Sequence, residues 1–207
     1  MSAESTRDRI LEAALVLAEQ RSWERLRLHD VAAGLKLSLN DVRAHFREKE
    51  DIADAWFDRA DAAMLDAAAQ PRLSALSPRE RLHRLLMAWL AALQPHRRVT
   101  RQMIGGKLEP GHVHYQYAGL LRVSRTVQWW REAAQRDAVL PWRALEETAL
   151  TAIYLAAFFC WMRDDSENAG RTSALLDRLL ARAERLAQWV PGRPRSRAAS
   201  GVASPER

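Results

Sequence analysis

The stretch Leu28–Ile52, LHDVAAGLKLSLNDVRAHFREKEDI, decides the fold. Val31, Ala32 and Leu35 recur at helical spacing behind Asp30, an acidic residue suited to a helix start, and the pattern stops near Lys36. Ser38 then suits an N-cap, because its hydroxyl can accept an orphan amide at Asn40 or Asp41. Two short helices joined by a tight turn follow. Upstream, Ile10, Leu11, Ala14, Leu15 and Ala18 form one apolar stripe, with Thr6 as the expected cap. This third helix supports the other two, and the three together make a helix-turn-helix unit.

Outward from that unit the chain stays helical. Glycine and proline number 8 each; they cluster at 70–78, at 105–111 and after Pro191, and no alternating apolar/polar pattern lies between the clusters. The spacing predicts helices over about 6–20, 28–35, 39–45, 49–69, 78–94, 97–107, 112–136, 141–163 and 168–189. The fold class is therefore all-α: a three-helix module at 1–57 on a larger helical domain at 58–190, for which the residues discussed below suggest ligand binding and dimerisation. A basic tail at 191–207, rich in Pro, Ser and Arg, is expected to be disordered because it cannot bury enough apolar surface.

Charge has to be divided along the chain to be useful. The net +6 conceals an acidic module, with nine Lys/Arg against eleven Asp/Glu in residues 1–57, and a basic middle, with thirteen against four in 71–143. Only 21–49 is locally positive within the module, at seven against four, so any attraction to a phosphate backbone has to come from there. Cys160 has no possible partner, the start lacks an apolar leader segment, and the apolar run 148–162 is shorter than a bilayer requires. These features lead to the expectation of a cytoplasmic protein. Glu109, His112 and His114 are too loosely spaced to specify a metal, and no phosphate-cradling loop, nucleophile elbow or paired acid/base spacing occurs. No catalytic residue, metal or cofactor is expected.

The module resembles the TetR family of regulators. The likeness runs through Thr6-Arg7, Ile10-Leu11, Ala14, Asp30-Val31-Ala32, Leu37-Ser38, His45-Phe46 and Lys49-Glu50, in register over residues 6–57. Three positions depart from the family pattern: Lys36 stands for the turn glycine, Asn40 and Asp41 for small residues, and Arg43 for a tyrosine. The resemblance implies a double-stranded DNA operator as partner. It assigns Arg27, Ser38, Leu39, Asn40, Arg43, His45 and Lys49 to the DNA face. Ser38 and Lys49 would hold the backbone, Arg43 a phosphate or a guanine, and Asn40 a base edge. Asp41 is the discordant member, a carboxylate expected at the groove-facing end that repels phosphate or accepts only from cytosine.

The rest of the chain suggests a pocket and an assembly face. Five of the eight tryptophans lie between 89 and 161, and Trp89, Met103, Trp129, Trp130, Phe158 and Met162 are the candidate lining for a small apolar ligand, although ordinary core packing accounts for such residues as well. Leu175, Leu176, Leu179, Leu180, Ala183 and Leu186 form a stripe on the last helix, and the helix before it is apolar nearly all round. In TetR-like proteins such a pair meets its copy in a homodimer. A second resemblance competes here. LQPHRR at 93–98, with Trp142, Ala152, Tyr154, Trp161, Asp165-Ser166, Thr172, Leu176-Asp177 and Arg178, is similar to the lipid-binding accessory family of coenzyme Q biosynthesis, which shares the fold. That likeness implies an isoprenoid or quinone lipid, a ubiquinone-pathway enzyme as partner, and a membrane surface for Arg97, Arg98 and Arg101.

Overall fold

A computed structural model of the chain describes residues 5–107, 113–137 and 140–188, so the expected disordered tail and the residues Glu109 and His112 lie outside the described residues. Among the described residues every regular element is helical. They are α1 (Thr6–Arg21), α2 (Leu28–Leu35), α3 (Leu39–His45), α4 (Lys49–Ala68), α5 (Pro78–Leu93), α6 (Arg97–Lys107), α7 (Val113–Ala133), α8 (Trp142–Trp161) and α9 (Gly170–Gln188).

Helix starts follow local chemistry. Ser5 rather than Thr6 caps α1, its hydroxyl accepting from the Asp8 amide, so Thr6 is the first helical residue. Ser38 with Asp41 and Ser77 with Glu80 form reciprocal capping boxes at α3 and α5. The end of α2 is less comfortable. Lys36 takes a left-handed conformation at φ 56° and ψ 38°, which glycine adopts freely and lysine adopts at about 1 kcal/mol or more. The Leu37 amide reaches the Ala32 carbonyl at 2.9 Å and so closes the turn.

One hydrophobic cluster runs from Ile10 to Leu180 without a break. Helix α4 makes it continuous. It passes straight through the expected boundary between 57 and 58, burying Ile52, Ala53, Trp56, Phe57, Ala60 and Met64 along one side. It packs most extensively on α5, while α9 packs on both α8 and α5. Where α4, α5 and α7 meet, Asp61 is buried and accepts from Trp89 Nε1 at 2.7 Å, Thr126 Oγ1 at 3.0 Å and Arg122 at 3.0 Å. Burial pushes the Asp61 carboxyl up, against the pull of the Arg122 guanidinium.

Helix α8 lies within the expected 141–163, and at 20 residues its length and composition match a membrane span although the apolar run 148–162 is shorter. In the fold, Leu150, Ile153, Tyr154, Ala157, Phe158 and Trp161 turn inward. The joint between α8 and α9 is organised by Asp164, whose side chain accepts from the Ser166 amide at 3.0 Å and from the Thr172 amide and hydroxyl, each at 2.7 Å. Burial raises its carboxyl, yet the hydrogen bonds from Ser166 and Thr172 outweigh burial and leave it far below the usual range.

A depressed carboxyl stabilises the fold above its unfolded pKa, near 4, and that contribution disappears as the pH falls. Asp164→Ala is therefore expected to cost about 2–3 kcal/mol at pH 7, read from the urea midpoint. The gap to the wild type should narrow below about pH 4. A gap as wide at pH 3 as at pH 7 would contradict the role given to the ionised carboxylate.

Candidate nucleic-acid interface

Helix α3 has an inside and an outside set by the core. Val42 and the following Phe46 are each 1% exposed and anchor it, and the Arg7 guanidinium lies 5.2 Å from the centre of the Phe46 ring. The opposite side presents Leu39, Asn40, Arg43 and His45 to solvent, with Leu39 half exposed. Arg27, immediately before α2, is also exposed. These five expected residues are therefore available to a partner. Lys36, Ala44 and Arg47, which the motif did not mark, are exposed beside them. The lysine at the turn thus adds a cation to the same face at the conformational cost already noted.

Two expected contacts have other work. The Ser38 hydroxyl accepts from the Asp41 amide at 3.1 Å, and Asp41 Oδ2 takes back both the Ser38 amide at 2.9 Å and the hydroxyl at 2.7 Å. Asp41 is thus corrected from a groove-facing repulsive group to the third residue of a capping box. Its carboxylate lies against the positive end of its own helix, and the hydrogen bonds from the Ser38 side chain and backbone hold its carboxyl below the usual range. Lys49 is half-buried: its ammonium sits 5.3 Å from the Trp23 ring centre and donates to the Trp23 carbonyl at 3.3 Å. It ties α4 to the turn after α1, because carbonyl, ring and charge meet there at short range.

The expected ligand residues divide. Trp89, Met103, Trp130, Phe158 and Met162 are buried, and Trp89 packs edge-on against Tyr154 and Phe158 at ring separations of 5.3 and 5.7 Å. Trp129 is corrected to a surface residue, half exposed beside the buried Trp130, whose indole donates to the Leu82 carbonyl at 2.9 Å. Adjacent positions on a helix point about 100° apart, and here Trp130 turns into the core while Trp129 turns to solvent. A groove of about 410 Å³ opens elsewhere, between α5, α8 and α9, lined by Leu82, Trp142, Leu145, Leu150, Leu180 and Leu186 among others. None of the six expected residues borders it. Among the described residues no cluster of three His, Cys, Asp or Glu side chains has the geometry to hold a metal.

The assembly stripe also needs correction. Leu176 and Leu180, at 0% and 3% exposure, belong to the subunit's own core, while Leu175, Leu179 and Ala183 are half-buried and Leu186 is exposed. An apolar stripe facing outward is found on α8 instead. Leu145, Ala149, Ala152, Ala156 and Phe159 follow helical spacing and are all exposed. The basic residues set aside for a membrane are engaged within the chain: Arg97 with the Asp164 carbonyl and, at 2.7 Å, Asp165; Arg98 with Glu19 at 3.0 Å; Arg101 with the Met162 carbonyl at 3.2 Å.

Comparison with known proteins places this geometry. The chain is similar to the crystal structure of the TetR transcriptional regulator from Nitrosomonas europaea ATCC 19718, with 51% identity, 86% of this chain and 98% of that chain covered, and a TM-score of 0.78. A TetR-family regulator from Streptomyces coelicolor, at 18% identity, covers 92% of this chain and 85% of its own with a TM-score of 0.63. A TetR regulator from Rhodococcus sp. RHA1, at 19% identity, covers 83% and 93% with a TM-score of 0.61. These two share the fold. No family model matches the chain, and no curated protein matches it.

Proposed function

This chain belongs to the TetR family of transcriptional regulators, and on that premise we propose that it is a cytoplasmic, two-fold dimeric repressor whose α3 reads an operator and lets go when a small apolar ligand enters the helical domain. The observation that carries the reading is the division of α3 between Val42 and Phe46, held in the core, and Leu39, Asn40 and Arg43, turned out together. A helix anchored on one side with an amide, a guanidinium and an apolar group on the other suits a major groove, where Asn pairs with adenine and Arg with guanine or phosphate. Arg27 and His45 flank that edge, Ser38 keeps its backbone amide in the capping box, and Lys49 supports the unit from behind.

Dimerisation follows from the outward stripe of α8. Leu145, Ala149, Ala152, Ala156 and Phe159 leave a nearly continuous apolar face, and small alanines let a second helix approach closely. Leu175, Leu179, Ala183 and Leu186 border it from α9, giving a four-helix contact across a two-fold axis. Such symmetry presents two copies of α3 to half-sites about one DNA turn apart. The lipid-carrier reading has no such support: its basic cluster is paired inside the chain, and the similar structures are regulators. The division at 57/58 is one of proposed roles only, since α4 serves both parts.

Two measurements test this reading. Glutamates at Ala156 and Phe159 together would bring unpaired charge into the two-fold face and weaken association on the order of a hundredfold or more. Analytical ultracentrifugation should show monomer with undiminished helical circular dichroism; a dimer that persists would move the interface elsewhere. On DNA, Arg43→Ala should reduce the slope of log affinity against log salt by about 0.9, the share of one phosphate. Unchanged affinity and slope would remove Arg43 from the interface.

A further inference from the structure

The turn between α2 and α3 carries a side chain that its backbone disfavours. Lys36 ends α2 in a left-handed conformation, which crowds its Cβ against the following carbonyl. Its amide closes the helix on the Ala32 and Ala33 carbonyls, work that glycine would do without strain. The Lys36 side chain is exposed, and no hydrogen bond or ion pair engages it among the described residues. Inside the chain only the field at the end of α2, whose last turn has no basic residue, favours a cation there. A strained residue with so little internal return points to a partner outside the chain.

A second cation stands at the other end of α3. Arg47 follows the buried Phe46, and its amide donates to the Asp51 carboxylate at 2.7 Å while its side chain is exposed and unpaired among the described residues. Lys49, the residue expected to hold the backbone there, is turned onto Trp23 instead. The neighbouring carboxylates serve helix starts: Asp41 caps α3, and Glu48 and Asp51 are the capping pair of α4. Elsewhere in the module the pattern is the reverse, with Arg21 paired to Asp30 at 3.0 Å and Arg59 to Glu12 at 2.8 Å.

We propose that Lys36 and Arg47 are phosphate clamps at the two ends of α3, one for each backbone bordering the groove that α3 enters, and that Lys36 keeps its left-handed backbone for the sake of that charge. This rests on the operator-reading role given to α3 above. Helix α3 has seven residues and so spans about 10 Å along its axis, while a major groove is about 12 Å wide. A lysine stem before the helix and an arginine after it add the reach that places one cation on each rim. Phosphate oxygens accept from an ammonium and, bidentately, from a guanidinium, without regard to sequence. The clamps therefore set how α3 lies in the groove, and Asn40 and Arg43 between them read it.

The test is binding of the full-length protein to duplex DNA of random sequence, followed by fluorescence anisotropy at salt between about 50 and 200 mM. Phosphate contacts form on any sequence, so the operator need not be known. Lys36→Gly and Arg47→Ala should each lower the slope of log affinity against log salt by about 0.9, and together by about 1.8. Arg84→Ala, which removes an exposed cation of α5, should leave the slope unchanged. Lys36→Gly should also unfold at a urea concentration no lower than the wild type, because glycine takes the turn without strain. An unchanged slope in either clamp variant beside a salt-dependent wild type, or an equal fall in Arg84→Ala, would overturn the clamps. So would a lower urea midpoint for Lys36→Gly, which would give the lysine to the fold. A wild type without salt-dependent binding would instead sink the regulator reading, and the clamps with it.

Discussion

Helix α4 is the constraint on which the rest depends. It is one unbroken helix whose first turn is tied to the turn after α1 through Lys49 and whose later turns carry Trp56, Phe57, Ala60 and Met64 into the core of the larger domain. The helix-turn-helix unit has no independent core; Ile10, Leu11, Ala14 and Leu15 belong to the same cluster as Trp89 and Phe158. Any change in how α4 lies on α5 and α7 therefore reorients α3. The contact that fixes α4 at mid-length is polar. Asp61, with Trp89, Thr126 and Arg122, binds three helices at one buried carboxylate, where loss of any partner leaves a desolvated charge. Apolar packing sets the distance between these helices, and this network sets their register.

Charge placement gives an acidic module a cationic outer face. Many of its carboxylates are turned to the protein itself: Asp41 to the start of α3, Asp51 to the amide of Arg47, Glu12 to Arg59, Glu19 to Arg98 and Asp30 to Arg21. Cations on the α3 side, among them Lys36, Arg43 and Arg47, are exposed. The sum over residues 1–57 hides this division, because pairing with the larger domain neutralises the inner face only.

Much of the architecture was legible, and the misses have physical causes. Helix limits follow from periodicity and caps, so Ser38 and the stripe on α1 were readable from spacing alone. Whether an apolar stripe meets its own core or a partner is not encoded in spacing, which is why Leu176 and Leu180 were assigned outward while the exposed Leu145–Phe159 stripe on α8 went unresolved. Trp129 and Trp130 are neighbours in sequence, and only packing decides which one turns in. Asp41 depended on a side-chain rotamer: the same carboxylate reads as repulsive in a groove and stabilising at a cap. Arg98 and Glu19 stand 79 residues apart, so the basic character of LQPHRR could not be seen as paired before the chain was folded.

The central claim is that two copies of α3, set by α4 and by the α8–α9 contact, read DNA together. Selection of bound fragments from a random double-stranded library at physiological salt tests it most directly. The account predicts enrichment of a two-fold symmetric motif with half-sites about one helical turn apart, ten base pairs or so. Recovery of fragments without any shared symmetric motif would contradict it.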